Sequence, residues 1–144
     1  MKIRDIMTTR VEVLRPDNTV REAAQKMREL NVGPMPVMDG DRVVGLLTDR
    51  DITIRATAEG RDPNTTPVQD VMTRNVTFCF EDDDVKEAAK HMSEKQVRRL
   101  LVMNRDQRLV GIASLGDLAV GTSNEKMAGK VLEEVSKPVH QGKR

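Results

Sequence analysis

The chain has no tryptophan and no tyrosine, and phenylalanine occurs only as Phe78 and Phe80. A hydrophobic core must therefore be assembled from Val, Ile, Leu, Ala and the nine Met, whose thioethers adapt to irregular gaps. Cysteine is nearly absent too. Cys79, the single one, excludes an internal disulfide, and without a CxxC or Cys/His cluster there is no zinc-binding signature. It sits in the apolar run Val76 to Phe80, where a buried strand residue is expected. No charge of one sign dominates: 24 Lys and Arg stand against 23 Asp and Glu, a net charge of +1. Such a balance gives no global reason to bind nucleic acid or an acidic membrane surface. No apolar stretch approaches the roughly 20 residues of a membrane span. The opening residues, Met1 to Met7, lack the apolar core of a signal peptide. A cytoplasmic protein with no membrane partner is expected.

What the chain does contain is an internal repeat. Asp5-Ile6-Met7-Thr8 recurs as Asp70-Val71-Met72-Thr73, an offset of 65 residues. At that offset Val20 matches Val85, Ala23 and Ala24 match Ala88 and Ala89, Met27 matches Met92, and Val37-Met38 matches Val102-Met103. After one inserted residue Gly45 matches Gly111, Thr48 matches Ser114 and Asp51 matches Asp117. Residues 1–59 and 68–121 are thus read as two copies. Residues 60–67 form a turn-rich connector, and 122–144 a C-terminal helix and tail.

Each copy predicts a β-α-β-β-α unit. The runs Val11 to Leu14 and Val76 to Phe80 read as strands. Thr19 with Glu22, and Asp84 with Glu87, have the spacing of capping boxes at helix starts. Val20, Ala23, Ala24, Met27 and Leu30 then share one helical face, as do Val85, Ala88, Ala89 and Met92. A hairpin turns at Asp39-Gly40 in the first copy and within 104–108 in the second. A second helix follows, over 48–59 and from Ser114 to about Val120. A last helix over 124–135 is expected to stop at Pro138, ahead of a frayed basic tail that includes His140.

The repeat starts, the segments Val32-Gly33-Pro34-Met35-Pro36-Val37 and Val97-Arg98-Arg99-Leu100-Leu101-Val102, and the hairpin ends Gly45 to Asp51 and Gly111 to Asp117 together resemble tandem CBS domains, the pair called a Bateman module. The resemblance covers residues 1–120 or so. It implies an α+β fold in which two repeats pack as a pseudo-two-fold pair. It also implies a stand-alone regulatory module, a homodimer, an effector protein whose identity the sequence does not disclose, and no required cofactor. The regulatory ligand it implies is an adenine nucleotide (AMP, ADP or ATP) or S-adenosylmethionine.

By that resemblance Thr48 and Ser114 contact phosphate, and Asp51 and Asp117 the ribose hydroxyls. A hydroxyl at a helix N-terminus lies beside free backbone N–H groups, and a carboxylate one turn later can accept two hydrogen bonds from a vicinal diol. The same spacing is also an ordinary helix cap. Thr8, Val11 and Val13, with Thr73, Val76 and Phe78, are expected to line an apolar slot for the base, together with Val32 and Val97. The family pattern pairs the Asp of one copy with the Val segment of the other. Thr48 and Asp51 are then expected beside Val97, Arg98 and Arg99, and Ser114 and Asp117 beside Val32, Gly33 and Pro34. This ranks the Asp51 cleft as the stronger binder of a phosphate tail.

The sequence bears on three other readings. A CBS pair without ligand could serve only as a dimerisation scaffold. Nucleic-acid binding would lean on Lys86, Lys90, Lys95, Arg98 and Arg99, and finds no aromatics beside them. No nucleophile and base stand in a catalytic spacing, His91 included, so an enzyme is not expected and the four acids Glu81 to Asp84 are read as a helix-start cluster.

Overall fold

The computed structural model describes residues 1–138. The expected tail, with His140, lies outside the described residues apart from its first positions. The described residues form two compact units, one of Val11–Val76 and one of Met1–Arg10 with the described residues from Thr77 on.

The Val11–Val76 unit is built on helix α1 (Val20–Leu30), strands β1 (Pro34–Asp39) and β2 (Arg42–Thr48), and helix α2 (Asp49–Asp51), which runs on as a π-helix over Ile52–Thr57. Thr19 caps α1 as its spacing predicts. The hydroxyl accepts the Glu22 N–H at 3.1 Å, and Glu22 accepts the Thr19 N–H at 2.8 Å. Strands β1 and β2 pair antiparallel with a bulge at Val37/Met38. The turn between them needs the left-handed conformation that Gly40 supplies at φ 62°. Val20, Ala23, Met27, Met35, Val37, Leu47, Val68, Val71 and Met72 fill the core.

The expected strand over Val11 to Leu14 shrinks to one parallel bridge, Leu14 with Val37. Leu14 N–H donates to Pro36 O at 2.8 Å and Met38 N–H donates to Leu14 O at 2.8 Å. The next bond along a parallel ladder would need a donor from Pro36, which has none. Leu101 holds the corresponding place in the second copy and keeps its N–H, which donates to Thr77 O at 3.1 Å. There a full parallel strand forms.

The other unit holds β3 (Phe78–Phe80), α3 (Val85–Lys95), β4 (Arg99–Met103), β5 (Leu109–Ser114), α4 (Leu115–Thr122) and α5 (Glu125–Ser136). Its sheet has the order β3-β4-β5, with the first pair parallel and the second antiparallel. Ile3, Cys79, Val85, Ala88, Met92, Leu100, Val102, Ala113, Leu118 and Val131 are the centre of its core.

Two sequence expectations about helices change. Asp84 caps α3 by accepting the Lys86 N–H at 2.8 Å, and the reciprocal bond from the Asp84 N–H to the Glu87 carboxylate that a capping box requires does not form. Thr19 can donate its hydroxyl to Glu22, at 3.2 Å, whereas Asp84 and Glu87 are two carboxylates that repel. The apolar face of α1 is also narrower than its pattern, since Ala24 and Leu30 are exposed. In α3 the whole face is buried, Ala89 included, because α5 packs along that helix.

The opening segment of each sequence copy joins the unit of the other copy's hairpin. Thr73 exchanges both backbone hydrogen bonds with Leu46 on β2, at 2.9 Å each. Thr8 does the same with Ile112 on β5, at 2.9 and 3.0 Å. Gly45 and Gly111 make these approaches possible. A Cβ at Gly45 would lie 2.5 Å from Met72 Sδ, and one at Gly111 would lie 2.8 Å from Met7 Sδ.

Candidate ligand site

The end of each hairpin feeds directly into a helix, and that junction carries the residues of interest. In the Val11–Val76 unit, Thr48 is the N-cap of α2. Its hydroxyl accepts the Asp51 N–H at 3.1 Å, and Asp51 Oδ2 accepts the Thr48 N–H at 3.0 Å. In the other unit Ser114 and Asp117 repeat this at 3.0 and 2.9 Å. The capping reading of the spacing is therefore fulfilled at both places.

Capping does not account for everything around Asp51. The Thr73 hydroxyl donates to its carboxylate at 3.3 Å, reaching it from the opening segment of the second copy. The Arg55 guanidinium stands 3.9 Å from Asp51 Oδ1 and donates from Nη1 to Met72 O at 3.1 Å. The Asp51 side chain is only 12% exposed and is held from three directions. A carboxylate so oriented keeps lone pairs for further donors. Sequence reasoning missed Arg55, although the Asp-to-Arg spacing of four residues on a helix was a usable signal.

The ladders decide which segments stand next to each hydroxyl. Pro34 faces Thr48 across β1 and β2, and Asp49 N–H donates to Gly33 O at 3.1 Å. Arg99 faces Ser114 across β4 and β5, and Leu115 N–H donates to Arg98 O at 2.8 Å. Each Val segment thus lies beside the hydroxyl of its own copy. The expectation that set Arg98 and Arg99 with Thr48 and Asp51 joined segments of different units. The neighbours that the structure defines for these arginines are Ser114 and Leu115. Both arginines are exposed and make no ion pair among the described residues.

The expected base-lining residues divide between the units. Thr73, Val76, Val11, Val13 and Val32 belong with Thr48 and Asp51, and Thr8, Phe78 and Val97 with Ser114 and Asp117. Val97 packs on the core, whereas Phe78 is 50% exposed and meets Phe80 edge-to-face at 5.9 Å. Val13 and Val32 are exposed as well.

The family model of the CBS domain matches residues 3–56 and again residues 68–120. The chain belongs to the CBS-domain family. The CBS domain-containing protein YhcV of Bacillus subtilis is 40% identical over 134 residues, which are 93% of this chain and 94% of that protein. Among solved structures, Hypoxic Response Protein I with two coordinated zinc ions has a TM-score of 0.73 at 38% identity, covering 83% of this CBS pair and 97% of that chain. The CBS domain pair of protein MJ0100, in complex with 5′-methylthioadenosine and S-adenosyl-L-methionine, has a TM-score of 0.72 at 28% identity, covering 83% and 97%. Among the described residues of the present CBS pair, no group of three or more His, Cys, Asp or Glu is arranged to hold a metal ion. No helix among them is long and apolar enough to cross a membrane.

Proposed function

We propose that this CBS pair is a cytoplasmic small-molecule-sensing regulatory module that binds an adenosine-containing ligand, an adenine nucleotide or S-adenosylmethionine, at its Thr48/Asp51 and Ser114/Asp117 helix starts. The observation that carries the reading is the carboxylate of Asp51, fixed by Thr48 and Thr73 with lone pairs to spare for the two hydroxyls of a ribose. The complex of the MJ0100 pair with two adenosine derivatives supports the same ligand class. Arg98 and Arg99 beside Ser114 favour a phosphorylated ligand at Asp117, since guanidinium forks match phosphate oxygens. This reverses the ranking of the two sites that the sequence suggested.

A sensor also needs something to report to. Leu30 of α1 and Ile54, both uncovered in the Val11–Val76 unit, support a homodimer through which an effector protein could read the ligand state. Binding alters the surface shown to that effector only if the ligand prefers one conformation. The rival reading is a ligand-free dimerisation scaffold. It is favoured by the two capping boxes, which satisfy Thr48, Asp51, Ser114 and Asp117 without any ligand.

Thermal melting with AMP, ADP, ATP and S-adenosylmethionine separates the two. A ligand at ~100 times its dissociation constant adds about 2.7 kcal/mol to the stability of the fold that binds it. A shift with any of the four that is reduced in Asp117→Ala or Asp51→Ala supports sensing. Unchanged melting with all four leaves the scaffold.

A further inference from the structure

Three arginines meet at one groove. Arg55, Arg61 and Arg74 line a cavity of about 600 Å³ in the Val11–Val76 unit, together with Asp70, Thr73 and Asn75. Arg61 and Arg74 are each tethered at one edge, and Arg55 also faces Asp51. Arg55 Nη1 donates to Met72 O at 3.1 Å, Arg74 Nη2 donates to Gln69 O at 3.1 Å, and Arg61 Nη1 stands 3.9 Å from Asp70 Oδ2. A guanidinium has five N–H donors, so most of the fork on each arginine remains unspent. Asp70 is the one carboxylate of the lining, and Asp51 stands 3.9 Å from Arg55. Three permanent cations therefore face two acids, next to the hydroxyl of Thr73 and the amide of Asn75.

The backbone beneath these arginines is pinned. Arg61 N–H donates to Ala56 O at 2.9 Å and Gly60 N–H to Thr57 O at 3.1 Å, the paired bonds that close the end of the π-helix Ile52–Thr57 over the left-handed Gly60. Single π-turns recur at functional sites because the extra residue redirects side chains. Arg74 follows Thr73, whose N–H and C=O are both bonded to Leu46. Guanidiniums held this way lose little freedom on binding, and their planar forks match the oxygens of phosphate. An uncharged or cationic ligand would leave those donors unanswered.

We propose that this groove is an oxyanion site for a diphosphate or longer phosphate group. It shares Arg55 and Thr73 with the Asp51 site, whereas Arg61 and Arg74 belong to the groove alone. The diphosphate could be free or could be the tail of a nucleotide. Calorimetric titration of the full chain with pyrophosphate, ADP and adenosine tests it, on wild type, Arg61→Gln, Arg74→Gln and Asp51→Asn. Both arginines are exposed, so each variant is first checked to melt as wild type, and the one that does so carries the test.

Binding of pyrophosphate or ADP that weakens at least ten-fold in Arg61→Gln or Arg74→Gln, and weakens further with added salt, supports the groove. Equal affinity for pyrophosphate and ADP with no response to adenosine identifies the phosphate group alone as the ligand. ADP binding ten-fold tighter than pyrophosphate, and weakened by Asp51→Asn, identifies a nucleotide tail. The inference is overturned if neither pyrophosphate nor ADP binds, or if both arginine variants bind as wild type does. Adenosine binding that persists in that second case leaves the adenosine reading intact.

Discussion

Replacing Gly111 by alanine adds one methyl group, and its effect can be worked out atom by atom. Gly111 lies in β5 with an ordinary φ, so only space requires glycine there. The new Cβ would sit 2.8 Å from Met7 Sδ and 2.8 Å from Thr8 O. Close carbon–oxygen contacts in proteins run at about 3.3–3.6 Å, so roughly half an ångström must be found. The Met7 thioether can swing aside. Thr8 O cannot do so freely, because it accepts the Ile112 N–H at 3.0 Å while Thr8 N–H donates to Ile112 O.

The alanine therefore strains both bonds of that bridge, and overpacking of this kind costs about 1–3 kcal/mol. Gly45→Ala meets the same obstacle in the other unit, at 2.9 Å from Thr73 O, and should cost a similar amount. Gly129 is the control. It lies inside α5 with nothing within 4 Å of its Cβ, so alanine there should stabilise by about 0.5–1 kcal/mol through helix propensity. Urea unfolding followed by far-ultraviolet circular dichroism reads all three. With slopes of about 1–3 kcal/mol/M in urea, Gly111→Ala and Gly45→Ala should lower the midpoint by roughly 1 M, and Gly129→Ala should raise it. A wild-type midpoint for Gly111→Ala and Gly45→Ala would refute the docking of Met7-Thr8 on β5 and of Met72-Thr73 on β2.

Other outcomes follow from side-chain environments. Cys79 is 5% exposed, and burial first, then the Asp83 charge, pushes its thiol up to about 12. It should resist a thiol-disulfide reagent at pH 8 and react promptly once urea unfolds the protein; fast labelling of the native state would contradict its placement. The Thr19 backbone N–H, and then its hydroxyl, hold Glu22 below its ordinary value of 4.5. The Lys86 N–H likewise holds Asp84 below 3.8. Because both folded values lie below the unfolded ones, their contribution is complete above those ordinary values and fades as pH falls through the folded values. Carbon-detected titration of Glu22 should show a midpoint under 4.5 that rises in Thr19→Ala.

Much of the fold could be read from the repeat because the same physics acts twice. Apolar spacing located α1 and α3, Thr19 located a cap, and Gly40 located a turn. The β-α-β-β-α order of an α+β CBS pair followed from these signals. The loss of the first strand was legible too, had Pro36 been compared with Leu101 as a donor to the ladder. The exchange of opening segments was not legible. It depends on which hairpin Met7 and Met72 dock against, and a local pattern is silent on long-range pairing. For the site, the spacing of Thr48 with Asp51 and of Ser114 with Asp117 located both helix starts. It gave no sign of the Thr73 hydroxyl or of Arg55, which come to Asp51 through tertiary packing. Strand register sets Arg99 opposite Ser114 within its own copy.

The central claim is that the two carboxylates bind a ligand as well as cap helices, and Asp→Asn separates these roles. An asparagine oxygen can still accept the backbone N–H at the helix start, but it lacks the charge that strengthens hydrogen bonds from a ribose. The direct measurement is calorimetric titration of AMP, ADP, ATP and S-adenosylmethionine into wild type and into the Asp51→Asn/Asp117→Asn double variant. The account predicts micromolar binding of at least one of them to wild type, about −8 kcal/mol. It also predicts a loss of at least ten-fold in a double variant that still melts cooperatively. Equal affinity in the two proteins, or no binding by any of the four, would contradict it.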